Sequence, residues 1–363
     1  MGWDVGPDEV ESIALGSGIL GTGGGGNPYL GKLHLLQELK QGARVRVVDP
    51  SDIGDDDVVI AVSGMGAPTV SLEKLSRGQE CYEAFMALER HTGTHAVAVV
   101  PGEIGGSNSM TPLIVAAQGN VPCVDADPMG RAFPELDMDT FAIYGVSPSP
   151  AALCDAQRNI VVLDSVATPK WAEHLFRAAT IAMGGSAGLA MPYMRGAKMK
   201  STAIWGSMSL ALRLGSLVRA ARREKSSPID AILTETDGIL LFTGKIIDVG
   251  RRTTAGFAKG SMTILGHGAY AGESMGIEFQ NENLVARIGE TVVATVPDLI
   301  CVVEEETAEP IGTEVLRYGL RVAVLGLPAD PKLRTSRALE VVGPPAFGYD
   351  LPFVPLETAK VTA

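Results

Sequence analysis

Three stretches of the sequence follow apolar runs with small, polar and acidic residues. They are Ser63-Gly64-Met65-Gly66-Ala67-Pro68, Pro101-Gly102-Glu103-Ile104-Gly105-Gly106-Ser107-Asn108 and Asp125-Ala126-Asp127-Pro128-Met129-Gly130-Arg131. A carboxylate held in such a loop can activate water or protonate a leaving group. Glu103 is the first choice for that work and Asp127 the second, with Asp125 as a further acid of the same set. Arg131 offers donors in fixed geometry for an oxygen or a carboxylate, while Gly66 and Asn108 offer polar contacts to a ring. The plainer role for the same residue types is structural, since Asp caps helices and glycine permits turns.

A second glycine-rich run, Gly21-Thr22-Gly23-Gly24-Gly25-Gly26-Asn27-Pro28, precedes a helical stretch. The amides of Gly23, Gly24, Gly25 and Gly26, with the Asn27 side chain, can approach an anion or a polar ring. The run fits neither common phosphate motif, because no strand precedes it and no Gly-Lys-Ser/Thr ends it. Further on, Met183-Gly184-Gly185-Ser186-Ala187-Gly188 is followed by Lys198, a candidate anion holder.

Other chemistry finds weaker footing. Cys81, Cys123, Cys154 and Cys301 are far apart and form no CxxC pair, which argues against a zinc knuckle or a disulfide framework. Cys123 lies in an apolar stretch that would raise its thiol pKa, a poor setting for a nucleophile. His91 and His95 share i, i+4 spacing, but Thr92-Gly93-Thr94 between them reads as a helix end. Whether a cofactor is needed does not follow from the sequence. A divalent metal bound by Glu103, Asp125, Asp127 and His95 stays open beside the metal-free version.

The elements that must position these residues alternate. Helices are expected at 8–20 and 29–41, strands at 43–48 and 58–64, then a helix from about 72 to 91, a strand at 95–100, a helix at 110–118 and a strand at 121–126. The run VVIAVSG is continuously apolar, as in a strand covered on both faces. A parallel sheet brings the three loops to one edge, where open α/β folds bind ligands. Helices are expected at 171–183 and 202–225, and after Ser226-Ser227-Pro228 short strands dominate, with Asp237-Gly238 reading as a hairpin turn. Gln280-Asn281-Glu282-Asn283 and Pro297-Asp298 either face the first domain or end strands. The fold class is therefore α/β: an N-terminal three-layer domain with a mainly parallel sheet (1–165), a C-terminal domain that starts helical and becomes β-rich (166–345), and an extended tail (346–363).

With 363 residues, 46% of them hydrophobic, the chain can bury a sizeable core. A formal net charge of -12 repels nucleic acid and anionic membranes. The start MGWDVGPDEV lacks the pattern of a signal peptide and no apolar run spans a bilayer, so a cytoplasmic location is expected. Much apolar content with only 5% aromatics suggests that some surface is covered by another copy of the chain.

Several motifs together carry a resemblance. GTGGGGNPYLG at 21–31, SGMGAPTVSLEK at 63–74, PGEIGGSNS at 101–109, DADPMGRAFPEL at 125–136, FQNENL at 279–284, ATVPDLI at 294–300, RYGLRVAVL and GPPAFGYD run in order along the chain. They resemble the S-methyl thiohydantoin desulfurase family, associated with hydantoin utilisation. The resemblance implies an N-terminal α/β domain, a C-terminal β-rich domain and hydrolytic removal of the sulfur substituent from a thiohydantoin ring, leaving a hydantoin and a thiol. It supplies no residue roles; those above are argued from chemistry. Two alternatives remain beside it: a non-catalytic metabolite-binding or accessory subunit of a hydantoinase-type assembly, and nucleotide-dependent phosphoryl transfer, which the missing Walker lysine disfavours.

Overall fold

The run Val58–Gly66 alternates its side chains between two hydrophobic clusters, Val58, Ile60 and Val62 in one and Val59 and Ala61 in the other. A strand buried on both faces has no need of polar positions, which explains its unbroken apolar character. In this computed structural model the described residues are 2–66, 70, 74, 76–254 and 257–359.

The strands of the first sheet are β1 (Trp3–Asp4), β2 (Arg46–Val48), β3 (Val58–Gly66), β4 (Ala98–Pro101), β5 (Cys123–Val124), β7 (Ala151–Cys154), β8 (Ile160–Leu163) and β9 (Ser186–Arg195), while β6 (Ala126–Asp127) pairs separately with β10 (Ile204–Trp205). The spatial order is β1-β2-β5-β4-β3-β9-β7-β8. The centre, β2-β5-β4-β3, is parallel, and the flanks are antiparallel. The N-terminal domain is thus a mixed α/β unit built around a parallel core. β9, beyond residue 165, is integral to its sheet.

Helices α1 (Pro7–Leu20), α2 (Tyr29–Lys40), α3 (Glu80–Thr92) and α4 (Met110–Gly119) serve one face, and α5 (Thr140–Ile143), α6 (Pro169–Ala182) and α7 (Gly196–Thr202) belong to the other side. α1 starts with Pro7 at its first turn, with the Glu9 carboxylate accepting from the Gly6 amide. Its burial nearly all round follows from its place against α8 (Ser207–Glu224). The two helices approach closely through Gly16 and Gly215, where a side chain would collide with the Ala211 and Ser12 carbonyls.

The C-terminal sheet contains β11 (Ile239–Thr254), β12 (Phe257–Gly266), β13 (Ser274–Gln280), β14 (Glu282–Ile288), β15 (Thr291–Thr295), β16 (Leu299–Glu304) and β17 (Arg321–Leu327), in the order β15-β14-β13-β12-β11-β17-β16. All its pairings are antiparallel. One face packs its own core around Phe242, Ile264 and Val324; the other sends Val285, Cys301 and Leu325 into the core shared with α1 and α8.

Several expectations are corrected. β9 crosses the sheet where only glycine-rich turns were expected, because Ser186–Arg195 finds β3 and β7 as partners. The helix expected over 202–225 starts later, at Ser207 of α8, because β10 (Ile204–Trp205) occupies the beginning of that range and α7 precedes it. Asp237-Gly238 is no hairpin turn. Ser227 caps a helix α9 (Pro228–Thr236), and Asp237 ends it in a left-handed conformation. The helix expected from 72 starts at Glu80; Ala67, Pro68, Thr69, 71–73 and 75 lie outside the described residues. The tail, expected as extended, docks, with the Leu356 amide donating to Asp298 and its side chain in the C-terminal core. Among the described residues no helix is long and apolar enough to cross a membrane.

Candidate functional site

β3, β4 and β6 end at one edge of the parallel core, where the loops after β4 and β6 meet beside the end of β3. Glu103, two residues beyond β4, is buried. One of its carboxylate oxygens takes a short hydrogen bond from Asn108 Nδ2, and the other faces the Phe133 amide at 3.4 Å. Asn108 Oδ1 in turn accepts from the Gly64 amide at 2.6 Å, at the end of β3. Gly64 is exposed and Asn108 half-buried, so this end of the assembly reaches solvent. Both ends of the Asn108 amide are occupied, which makes it an orienter of Glu103 rather than the ring contact expected from sequence.

Burial pushes the Glu103 carboxyl up to about 8; Asn108 and the Phe133 amide pull it back, Asp127 adds to the rise and Arg131 opposes it. At neutral pH the group holds a proton it can give away.

Asp127 is fully buried beside Glu103, with its oxygens accepting from the amides of Ile104 at 2.9 Å, Met129 at 3.0 Å and Gly130 at 3.0 Å. It ties the loop after β4 to the loop after β6, and that engagement corrects its reading as a free base. Burial raises it to about 6, against the pull of the Met129 and Gly130 amides. Asp125 is elsewhere: it accepts from the Ser209 amide at 2.9 Å and from the Ser209 hydroxyl, at the start of α8.

Arg131 is also corrected. Fully buried, it donates to the carbonyls of Ala132 at 3.0 Å, Pro297 at 2.7 Å and Asp298 at 2.9 Å, to Thr22 Oγ1 at 3.0 Å and toward the Asn283 carbonyl at 3.5 Å. All five of its N–H groups are engaged, leaving none for a substrate anion. Burial lowers it to about 10, opposed by Glu282 first and by Glu103 among others.

The glycine run after α1 is a packed bridge. The Thr22 carbonyl accepts from the Asn283 amide and the Gly23 carbonyl from the Thr313 amide, while the Gly25 and Gly26 carbonyls accept from the Ser107 amide. A side chain on Gly25 would meet the Gly105 carbonyl, and one on Gly24 would meet the Glu282 carboxylate. On its outer side the run lines a cleft of about 360 Å³ with Asn27, Lys32, Pro310 and Glu314; Glu103 and Glu282 are not among the lining residues. Asn27 Oδ1 accepts from the Tyr29 amide, 2.9 Å away.

Lys198 is corrected by topology. β9 runs from the glycine loop at 184–188 to Arg195, roughly 30 Å at strand rise, so Lys198 emerges at the far edge. It is exposed and donates to the Tyr144 carbonyl at 3.0 Å. Gly66 does belong to the site's edge, paired with Ser186 across β3 and β9. The metal set considered from sequence is not assembled: the His95 side chain is 93% exposed and pairs with Glu89, and Asp125 is taken by Ser209. Among the described residues no three His, Cys, Asp or Glu side chains converge to hold a metal. Cys123 is buried and its thiol raised by that burial, the direction its strand implies.

Over residues 8–165 the chain matches the S-Me-THD-like, N-terminal domain, and over residues 167–356 the S-Me-THD-like, C-terminal domain. The chain belongs to the S-Me-THD-like family. A crystal structure of a protein from Chromobacterium violaceum, a structural genomics target, is similar at 26% identity, with a TM-score of 0.84 over 98% of this chain and 100% of that one. No curated protein matches the chain.

In this S-Me-THD-like chain the sequence reading left one member out of the candidate site. Glu282, only 2% exposed at the start of β14, rests against Gly24. Burial raises it well above the ordinary value, the Glu103 charge adds to the rise, and Arg131 opposes it. Among the described residues its Oε2 and the neighbouring Asn283 Oδ1 are buried without a hydrogen-bond partner. The signal was present as Gln280-Asn281-Glu282-Asn283, but a polar run at a strand end ordinarily faces water. Here the run is buried because the glycine bridge covers it.

Proposed function

We propose that this chain is a hydrolase-type enzyme acting on a thiohydantoin-like or hydantoin-like ring, removing an S-substituent to give a hydantoin and a thiol. Membership in the S-Me-THD-like family supports the substrate class, and one observation carries the chemistry: a buried, proton-holding Glu103 at the strand edge, oriented by Asn108 within reach of solvent.

An S-methyl thiohydantoin has an electrophilic carbon between two nitrogens. Glu103 gives its proton to the ring nitrogen as water adds to that carbon, and its carboxylate then takes a proton from the water. The C–S bond breaks, the thiol leaves with that proton, and the hydroxyl left on the carbon returns its own proton to Glu103 as it becomes the hydantoin carbonyl. Asn108 and the Phe133 amide hold the carboxyl in place through both states. Asp127 fixes the loop that carries it.

The test is turnover of S-methylated thiohydantoins in ¹⁸O water, read as thiol release and as label in the hydantoin carbonyl. Turnover that disappears in Glu103→Gln while the fold persists is the expected result. Tight binding without turnover, unchanged in Glu103→Gln, would favour the accessory-subunit reading.

A further inference from the structure

The edge strand β8 carries an inference independent of the reaction. Among the described residues it has a neighbour, β7, on one side only, and Ile160, Val161 and Val162 are all exposed. The helix that follows, α6, adds exposed Trp171, Leu175 and Ile181 within the next few turns. An uncharged apolar edge is a pairing template unless something covers it.

The hairpin joining β7 to β8 fixes which backbone groups are free. The Asp155 amide donates to the Asn159 carbonyl, and the Arg158 amide to the Asp155 carbonyl, with Arg158 at a positive φ of 69°. Hydrogen-bonded pairs alternate along an antiparallel ladder, so Leu153–Val161 and Ala151–Leu163 exchange bonds. The N–H and C=O groups of Ile160 and Val162 therefore point outward.

We propose that β8 pairs with β8 of a second copy of this chain, antiparallel about a two-fold axis at Val161, continuing the sheet across the dimer. That axis sets the outward Ile160 opposite Val162 of the other copy and brings Arg158 opposite Asp164 at each end. Both charges stand ready: their side chains are 68% and 80% exposed, on the same side of the sheet, held toward α3 by Glu83 and His91. Moving the axis to Val162 would set Asp164 against Ile160, which matches neither charge nor apolar surface. The fit of both ends at one register is what selects a second copy as the occupant.

Sedimentation of the full chain at micromolar concentration tests this. The expected particle has twice the 37.9 kDa chain mass. Val162→Pro removes an outward N–H without touching the bonds to β7, and converts the dimer to a folded monomer. Arg158→Glu weakens association at least tenfold, and Arg158→Glu combined with Asp164→Arg restores it. A monomeric wild type, or a dimer as tight in Arg158→Glu as in the wild type, overturns the proposal whatever Val162→Pro does to folding.

Discussion

Glu103 shows how a residue type becomes a chemical group only through its surroundings. A carboxyl with its ordinary value of 4.5 is ionised at neutral pH; buried beside Asp127 it is raised to about 8. Its folded value lies above its unfolded one, so the stability it contributes is fully present below about 4.5 and is lost as pH rises through about 8. The slope from this one group reaches about 1.4 kcal/mol per pH unit inside that window. Glu103→Gln is accordingly expected to flatten the fall in stability between those pH values and to be more stable than the wild type above about pH 8. Urea unfolding at a series of pH values measures this; parallel curves for the two proteins would remove the raised carboxyl from the account.

At the scale of elements, the glycine bridge between α1 and α2 joins the loop after β4 to the start of β14. At Gly24 an added side chain would meet the Glu282 carboxylate, which fills the space. Gly24→Ala should cost about 1–3 kcal/mol, as overpacking does, and lower turnover by displacing the Glu282 carboxylate, whose charge acts on Glu103. Thermal unfolding and the thiol assay together read it; unchanged values for both would show that the bridge is slack. The parallel core and the meeting of the loops after β4 and β6 were legible because apolar runs covered on both faces and the glycines that end them leave local marks in the sequence. Glu103, Asn108 and Asp127 were singled out for that reason. What was not legible depends on distant partners. Arg131 reads as a holder of a substrate oxygen or carboxylate until Pro297 and Asp298 are seen to take its N–H groups, and Lys198 reads as close to a glycine loop until β9 separates them across the sheet. Glu282 was hidden for the same reason, its burial depending on a loop some 260 residues earlier, an interval of roughly the length of a whole domain.

For the whole molecule, Arg131 is the fastening between the two sheets. Its fork reaches the β15–β16 turn, β14 and Thr22 at once. Lysine keeps the charge but not the fork, so Arg131→Lys leaves buried carbonyls unpaired and should cost on the order of 3 kcal/mol. Denaturant unfolding followed by probes in each domain is expected to show the loss; a stability equal to wild type would mean that the interface does not depend on this contact. Family membership over both domains and the likeness to the Chromobacterium violaceum structure make this two-sheet arrangement the shared scaffold.

The measurement that bears most directly on the catalytic claim is kcat/KM for thiol release from an S-methyl thiohydantoin, from about pH 5 to about pH 10, with wild type and Glu103→Gln compared. The account predicts a wild-type rate that falls with a midpoint near pH 8, as Glu103 loses its proton, and a folded variant slower by about 10²- to 10⁴-fold with that limb gone. A folded Glu103→Gln protein with wild-type rates and the same alkaline limb would contradict it.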